Sequence, residues 1–128
     1  MAHLHAAGVA HRDLKLENFA LNADLQPILI DYGLAVYLGR YLDAQTENVG
    51  TVCYRAPEII SRAGTDYTYD PFKADVFALA VVALCLLYKS YPWGYDEQTG
   101  LPRDAVEFVQ GVGLQLNPLY EDFMQKWS

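Results

Sequence analysis

The chain has 128 residues, of which 52% are hydrophobic and 20% are charged. These proportions are typical of one folded domain and argue against a disordered or low-complexity protein. The formal net charge is −7 at pH 7, and the sequence contains no cluster of lysine and arginine. Because nucleic acids and anionic membrane surfaces are bound through clustered basic residues, the composition argues against both as partners.

Cys53 and Cys85 are the two cysteines, and they lack the short spacing of a metal or redox motif. We therefore predict two reduced, buried thiols in a cytoplasmic protein. Near the amino terminus, His3 and His5 could suggest a metal site. No carboxylate or cysteine completes a ligand set at a recognisable spacing, so we predict that both are ordinary helix residues.

The first half of the chain gives three local predictions. Its first eight residues predict the end of a helix that is closed by Gly8. The segments "FALN" and "PILID", separated by residues 22–24, predict a short hairpin. Residues 32–55 have an irregular pattern that predicts a long ordered or regulated loop.

The second half is predicted to be helical. Pro57 can open a short helix in "PEIISR", because proline is tolerated in a first helical turn. Residues 73–89 are apolar on every face and predict a helix at the centre of a core, which Pro92 prevents from continuing. The apolar run at 76–88 is shorter than the roughly 20 residues of a membrane span. Two further helices are predicted at 103–109 and 118–127.

Three short motifs occur in a fixed order: "HRDLKLEN" at residues 11–18, "DYG" at 31–33 and "APE" at 56–58. Together they resemble the large lobe of the eukaryotic protein kinases over the whole chain. The resemblance implies a mainly α fold with a short β-hairpin, namely the C-terminal (large) lobe of the protein-kinase-like α+β fold, truncated at both ends. We therefore expect residues 1–128 to be one partial protein kinase domain.

Such a domain transfers the γ-phosphate of ATP to a protein hydroxyl with the help of Mg²⁺. The resemblance implies that Asp13 is the catalytic base and that Lys15 is a cation near the transferred phosphate. It implies Asn18 and Asp31 as Mg²⁺ ligands. Glu17 would contact the ribose or a basic substrate residue, or it faces solvent. The alternative for the residues assigned to catalysis and Mg²⁺ binding is that they are loop-capping polar residues of an unrelated fold.

Lys15 in "HRDLK", followed later by Gly50 and Thr51, resembles the serine/threonine kinase pattern. The implied substrate is a protein with a Ser or Thr acceptor. By resemblance, Thr51 would bond both Asp13 and Lys15, and otherwise it caps a turn. Asp75 would accept backbone N–H groups of the catalytic loop, a role compatible with its place near a helix N-terminus.

Arg12 beside the implied catalytic base is a mark of kinases that are controlled by phosphorylation of the activation segment. An upstream kinase is therefore a possible partner. We expect Thr46 to be the residue that is phosphorylated, with Tyr37 and Tyr41 as alternatives. Thr46 could equally be an unmodified, solvent-exposed loop threonine. Glu58 would form a buried ion pair with an Arg beyond residue 128.

Tyr32 stands where the family usually has Phe, and its ring is expected to fill the same apolar site. Neither a glycine-rich loop nor a strand lysine precedes His11, so the small N-terminal lobe is absent from the sequence. We expect the chain to be inactive alone. The alternatives are a non-catalytic, pseudokinase-like binding module and a truncated remnant that folds poorly and exposes apolar patches.

Overall fold

The computed structural model describes residues 1–38, 48–60, 68–94 and 98. This part of the chain contains α-helices, short strands and turns of 3₁₀ helix. The helices are α1 (Ala2–Ala6), α2 (Pro57–Ile60) and α3 (Pro71–Tyr88), and the strands are β1 (Val9–Ala10), β2 (Phe19–Leu21), β3 (Pro27–Leu29) and β4 (Val36–Tyr37). Two turns of 3₁₀ helix cover Leu16–Asn18 and Val52–Tyr54. The helices predicted at 103–109 and 118–127 lie outside the described residues.

Helix α1 ends near Gly8, as predicted. Gly8 has a φ of 76°, a conformation that glycine adopts without the steric cost of a side chain. The chain then enters β1, which pairs antiparallel with β4 so that Val9 lies opposite Tyr37. This small sheet falls partly within the segment that we predicted to be a loop. Two-residue strands are too short for an alternating pattern, so the sequence carries no signal for them.

The predicted hairpin is confirmed. Strands β2 and β3 are antiparallel, with Phe19 opposite Leu29. The connecting turn is organised by Asn22, whose Oδ1 accepts hydrogen bonds from the backbone N–H groups of Asp24 at 3.0 Å and Gln26 at 2.8 Å. An asparagine side chain that bonds the backbone ahead of it is a common way to close a turn.

Helix α3 begins two residues earlier than predicted. The reason is an N-cap: Asp70 Oδ1 accepts hydrogen bonds from the backbone N–H groups of Phe72 at 2.9 Å and Lys73 at 3.3 Å. Pro71 occupies the first turn, where its missing N–H has no consequence. The helix ends before Lys89, which adopts a left-handed conformation with a φ of 54°.

The main core is formed where α3 packs against the "HRDLKLEN" loop, the 3₁₀ turn Val52–Tyr54 and the segment that follows α3. Its buried members are Leu14, Cys53, Tyr54, Ala78, Val81, Val82, Cys85 and Trp93. The indole Nε1 of Trp93 donates a hydrogen bond of 2.8 Å to the backbone carbonyl of Cys53. Its ring stacks on Phe77 with a centroid distance of 6.0 Å. The 3₁₀ turn Val52–Tyr54 is therefore fixed to α3.

Both cysteines are free and buried, as predicted. Burial raises the pKa of the Cys53 thiol, although a hydrogen bond with Tyr91 partly opposes this effect. Burial also raises the pKa of Cys85 to about 11. Because the thiolate is the reactive form, both thiols are expected to be chemically inert at neutral pH.

Helix α3 is not buried on every face by the described residues. Val76, Leu86 and Leu87 are 57%, 65% and 72% exposed. By length and composition alone, α3 also satisfies the criteria for a membrane span, with a mean hydropathy of 1.8, but core helices of soluble proteins satisfy them too. The described part of the chain thus covers one side of α3.

Candidate active site

The loop "HRDLKLEN" is anchored to α3 by Asp75, which is 2% exposed. Its Oδ2 accepts a hydrogen bond of 2.7 Å from the backbone N–H of His11, and its Oδ1 accepts one of 2.8 Å from the backbone N–H of Arg12. The resemblance implied this contact, and the structure contains it. Two backbone bonds to one buried carboxylate fix the direction in which the loop leaves Ala10.

His5 is also part of this anchor. We predicted an ordinary helix residue, but its Nε2 lies 2.9 Å from Asp75 Oδ2, and its ring packs edge-on against Phe72 at a centroid distance of 4.9 Å. Its place in a helix is as predicted, since α1 spans Ala2–Ala6. The contact with Asp75 was not predicted, because the partner is 70 residues away. No local pattern in the sequence could have indicated this contact.

Arg12 and Asp31 both adopt left-handed backbone conformations, with φ values of 65° and 59°. Such conformations are costly for residues with a side chain and persist where surrounding contacts enforce them. The side chain of Arg12 supplies one such contact, because its Nε donates a hydrogen bond of 2.7 Å to the carbonyl of Leu34. Arg12 therefore joins the "HRDLKLEN" loop to the residues that follow "DYG".

Asp13 lies at the centre of a compact group of polar side chains. Its Oδ1 accepts hydrogen bonds from the Thr51 backbone N–H at 3.0 Å and from Thr51 Oγ1 at 2.8 Å. The ammonium of Lys15 lies 3.2 Å from Asp13 Oδ2 and 3.2 Å from Thr51 Oγ1. Asn18 Nδ2 donates to the backbone carbonyl of Asp13 at 2.8 Å and to Oδ2 at 3.3 Å. The structure thus brings together four residues that the resemblance assigned to one site.

These donors determine the charge of Asp13. Burial disfavours the ionised carboxylate, but hydrogen bonds from Thr51 and Lys15, together with the positive charge of Lys15, outweigh it. The pKa of Asp13 is therefore held below its usual value of 3.8. At neutral pH the site presents an ionised carboxylate, which can orient a hydroxyl group and accept its proton.

Removal of the Thr51 hydroxyl should change the pH dependence of stability. Because the folded-state pKa of Asp13 is depressed, its contribution is present above 3.8 and is lost as the pH falls through the folded pKa. In Thr51→Val the pKa of Asp13 should rise, and the free energy of unfolding at pH 7 should fall by about 1 kcal/mol. The difference from wild type should shrink below pH 4. Urea denaturation over a pH series would measure it.

The same substitution at Thr68 provides the control, because that threonine is exposed. Thr68→Val should leave the free energy of unfolding nearly unchanged at every pH. A Thr51→Val deficit of equal size at pH 3 and pH 7 would contradict the prediction.

Asn18 and Asp31 lie on adjoining backbone. Asn18 is buried, and its carbonyl accepts a hydrogen bond of 2.9 Å from the N–H of Ile30, the residue before Asp31. Asp31 is exposed, and its Oδ1 accepts a hydrogen bond of 3.2 Å from the backbone N–H of Gly33. The amide oxygen of Asn18 and the carboxylate of Asp31 are hard oxygen donors, the type that Mg²⁺ prefers.

Within the described ranges, no group of three or more His, Cys, Asp and Glu side chains could hold a metal. This finding still fits Mg²⁺, because Mg²⁺ in nucleotide sites is usually bound by one or two carboxylates together with water and phosphate oxygens. The donor set of Asn18 and Asp31 therefore fits a nucleotide-bound magnesium ion and does not fit a cage built from protein ligands alone.

Tyr32 differs from its expected placement. It is 49% exposed, and its ring packs edge-on against the buried His11 at a centroid distance of 5.0 Å. We expected the ring to fill an apolar site. An aromatic ring with a polar tip is readily accommodated with one side packed and the other in solvent.

The hydrogen bonds and the ion pair of Asp13 described above involve none of the remaining predicted residues that the structure describes, namely Glu17, Glu58 and Tyr37. Glu17 is exposed on the 3₁₀ turn Leu16–Asn18, and Glu58 is half-buried on α2. Tyr37 is 72% exposed on β4. Thr46 and Tyr41 lie outside the described residues.

The sequence predictions gave no role to Arg55 and used Gly50 only as part of the "GT" pair. Gly50 has a φ of 90°, and a Cβ atom at this position would lie 2.6 Å from the carbonyl oxygen of Arg12. The segment before Thr51 therefore approaches the "HRDLKLEN" loop too closely for a side chain at Gly50. A glycine directly before the predicted Thr51 was the available signal for this close approach.

Comparison with known families agrees with the motifs. Residues 1–122 match the family model described as the protein kinase domain. The match covers nearly the whole chain, so the chain belongs to the protein kinase domain family. The resemblance to the protein kinases inferred from "HRDLKLEN", "DYG" and "APE" is confirmed at the level of the family.

Three of the similar proteins are named as kinases. The chain is 36% identical over 97 residues to serine/threonine-protein kinase ppk8 of Schizosaccharomyces pombe, covering 73% of this chain and 18% of that protein. It is 35% identical over 101 residues to serine/threonine-protein kinase oca2 of the same yeast; this match covers 76% of this chain and 15% of that protein. It is 40% identical over 93 residues to the human hormonally up-regulated neu tumor-associated kinase; this match covers 71% of this chain and 12% of that protein. The chain thus spans less than a fifth of the length of these relatives.

Proposed function

We propose that the chain contributes the catalytic and metal-binding residues of a serine/threonine protein kinase, which transfers the γ-phosphate of ATP to a protein hydroxyl. The observation that carries the proposal is the Asp13 carboxyl group, contacted by Thr51, Lys15 and Asn18. Phosphoryl transfer depends mainly on positioning and charge neutralisation, and this group offers both. The names of the relatives support the choice of Ser or Thr as the acceptor.

In the proposed reaction, Asp13 orients the Ser or Thr hydroxyl of the protein substrate. The hydroxyl oxygen forms a bond to the γ-phosphorus while the bond from that phosphorus to the leaving ADP oxygen breaks, and the hydroxyl proton passes to Asp13. Lys15 balances negative charge on the transferred group. Asn18 and Asp31 would hold Mg²⁺, which neutralises phosphate charge when bound. Glu17 would contact the ribose or a basic substrate residue.

We further propose that residues 1–128 form the large, C-terminal lobe of the kinase fold. The support is that the sequence contains the catalytic loop and metal-binding motifs but neither a glycine-rich loop nor a strand lysine. Without those groups, the 128-residue chain should show no measurable phosphorylation of a protein acceptor by itself.

Regulation and location are part of the same proposal. Arg12 would pair with a phosphate that an upstream kinase places on Thr46, because a guanidinium binds phosphate through two parallel hydrogen bonds. Glu58 would pair with an arginine outside this sequence. Reduced, buried thiols at Cys53 and Cys85 support a cytoplasmic location.

The experiment that tests the proposal compares Asp13→Asn with wild type in the complete protein that carries this chain. The rate of ATP-dependent phosphorylation of a Ser/Thr protein acceptor should fall by about 10² to 10⁴ fold, because the base is lost while the shape is kept. Incorporation of labelled phosphate into the acceptor is the measurement. Lys73→Ala is the control, because Lys73 is 82% exposed and its contact with Asp70 is a long one of 3.9 Å.

Equal rates in Asp13→Asn and wild type would remove the catalytic proposal. The non-catalytic binding module would then be favoured, and the exposed apolar residues of α3 would be the first surface to examine. Asp13-dependent turnover by the 128-residue chain alone would contradict the proposal that a separate small lobe is needed.

A further inference from the structure

Arg55 makes two hydrogen bonds that point back along the chain. It follows the 3₁₀ turn Val52–Tyr54 and is half-buried. Its Nε donates to the backbone carbonyl of Gly50 at 2.7 Å, and its Nη1 donates to the side-chain Oδ1 of Asn48 at 2.8 Å. One guanidinium thus holds two acceptors on the segment immediately before Thr51.

The backbone of the segment before Thr51 needs contacts with other residues to hold its conformation. Gly50 has a positive φ of 90°, and glycine gains more conformational freedom than any other residue when its contacts are lost. The next residue is Thr51, whose N–H and Oγ1 both donate to Asp13 Oδ1. A rotation of the peptide between residues 50 and 51 would move the Gly50 carbonyl and the Thr51 N–H together, because both belong to the same planar unit. The atom that Arg55 binds and the atom that Asp13 binds are therefore on one rigid group.

We propose that Arg55 is a positioning residue of the kinase reaction: it fixes the peptide between Gly50 and Thr51 so that Thr51 holds the Asp13 carboxylate in place. This role rests on the proposed function, although the contacts themselves do not. Arg55 does not touch the reacting atoms and acts through Thr51.

The chemistry of the two acceptors distinguishes this role from an ion pair. Both the Gly50 carbonyl and the Asn48 amide oxygen are neutral, so the interaction is geometric and depends little on salt. A fixed fork of donors is a property of arginine that lysine lacks. Arg55→Lys can restore one of the two hydrogen bonds, and it should therefore rescue part of the function that Arg55→Ala loses.

The first test measures the peptide directly by residue-resolved amide hydrogen exchange in the complete protein. In Arg55→Ala, exchange of the Thr51 N–H should become at least about tenfold faster, because its bond to Asp13 is weakened. The N–H of Tyr54, which donates to the Thr51 carbonyl at 3.0 Å, should stay within about twofold of wild type. Unchanged exchange at Thr51 would overturn the proposal, and equal loss of protection at both positions would indicate a purely structural role and also overturn it.

The second test measures catalysis. In the complete protein, Arg55→Ala should lower kcat by about 10 to 100 fold and leave the KM for ATP nearly unchanged, because misplacement of a catalytic group affects the chemical step. Arg55→Lys should fall between Arg55→Ala and wild type. Lys73→Ala removes an exposed cation elsewhere and should have no effect on kcat.

A double-mutant cycle identifies the route of the effect. If Arg55 acts through Thr51, then Arg55→Ala should cause little further loss of kcat in a Thr51→Val background. Multiplied losses in the double variant would overturn the proposal. If the wild-type protein shows no kinase activity, the proposed function fails, and the exchange experiment still decides whether Arg55 positions Thr51.

Discussion

Replacing Asp75 with Asn should lower the free energy of unfolding by about 3 kcal/mol, because a buried charged acceptor is lost and the new amide faces backbone donors. The carboxylate accepts the N–H groups of His11 and Arg12 and lies 2.9 Å from the ring of His5. An asparagine can accept with one oxygen only, and its NH₂ group would face at least one of these N–H groups. Urea denaturation at pH 7 would measure the change.

The same helix provides a matched control. Asp70→Asn makes the same chemical change five residues earlier, at the N-cap of α3, where asparagine caps about as well as aspartate. Its effect should stay within about 0.5 kcal/mol. Similar losses in the two variants would show that Asp75 acts only through the helix dipole and does not anchor the loop.

Gly50→Ala should be the second strongly destabilising substitution, by about 3 kcal/mol. Two physical effects add: an L-residue is disfavoured at a φ of 90°, and the new Cβ would lie 2.6 Å from the carbonyl oxygen of Arg12. Relief of this clash requires the segment of Gly50 and the loop at Arg12 to separate, which should weaken the neighbouring contact of Thr51 with Asp13. The free energy of unfolding and the exchange rate of the Thr51 N–H should therefore change together.

Gly94→Ala separates the two effects. Gly94 also has a positive φ of 69°, but among the described residues no atom beyond its chain neighbours lies within 4 Å of the position that its Cβ would take. This variant should lose about 1 kcal/mol, the contribution of backbone strain alone. If the two alanine variants were equally stable, the close approach of Gly50 to the loop would not contribute to stability.

Local features were largely predictable from the sequence. Gly8 indicated the end of α1, and the segments "FALN" and "PILID" on either side of residues 22–24 indicated the hairpin. The start of α3 was missed by two residues because the pattern of apolar residues outweighed the capping signal of Asp70 and Pro71. Boundaries of this kind depend on one hydrogen-bonding side chain, which periodicity does not detect.

The residue types of the candidate site were predictable, but the contacts that hold those residues in place were less so. The residues of "HRDLKLEN" and Thr51 were identified through the family resemblance. The contact of His5 with Asp75 joins residues far apart in the chain, and the hydrogen bond of Arg55 to Gly50 depends on the local path of the backbone. Neither produces a periodic or compositional signal, so only the three-dimensional structure could reveal them.

The hydrogen bond from Trp93 to the Cys53 carbonyl makes this indole an intrinsic fluorescent probe of the site. Trp93 is buried, and it is bonded to the turn that directly follows Thr51. The sequence contains one other tryptophan, Trp127, so Trp127→Phe would leave a single emitter. With selective excitation of tryptophan, its emission maximum would then report the solvent exposure of the segment that holds Asp13, without a label and without a substrate.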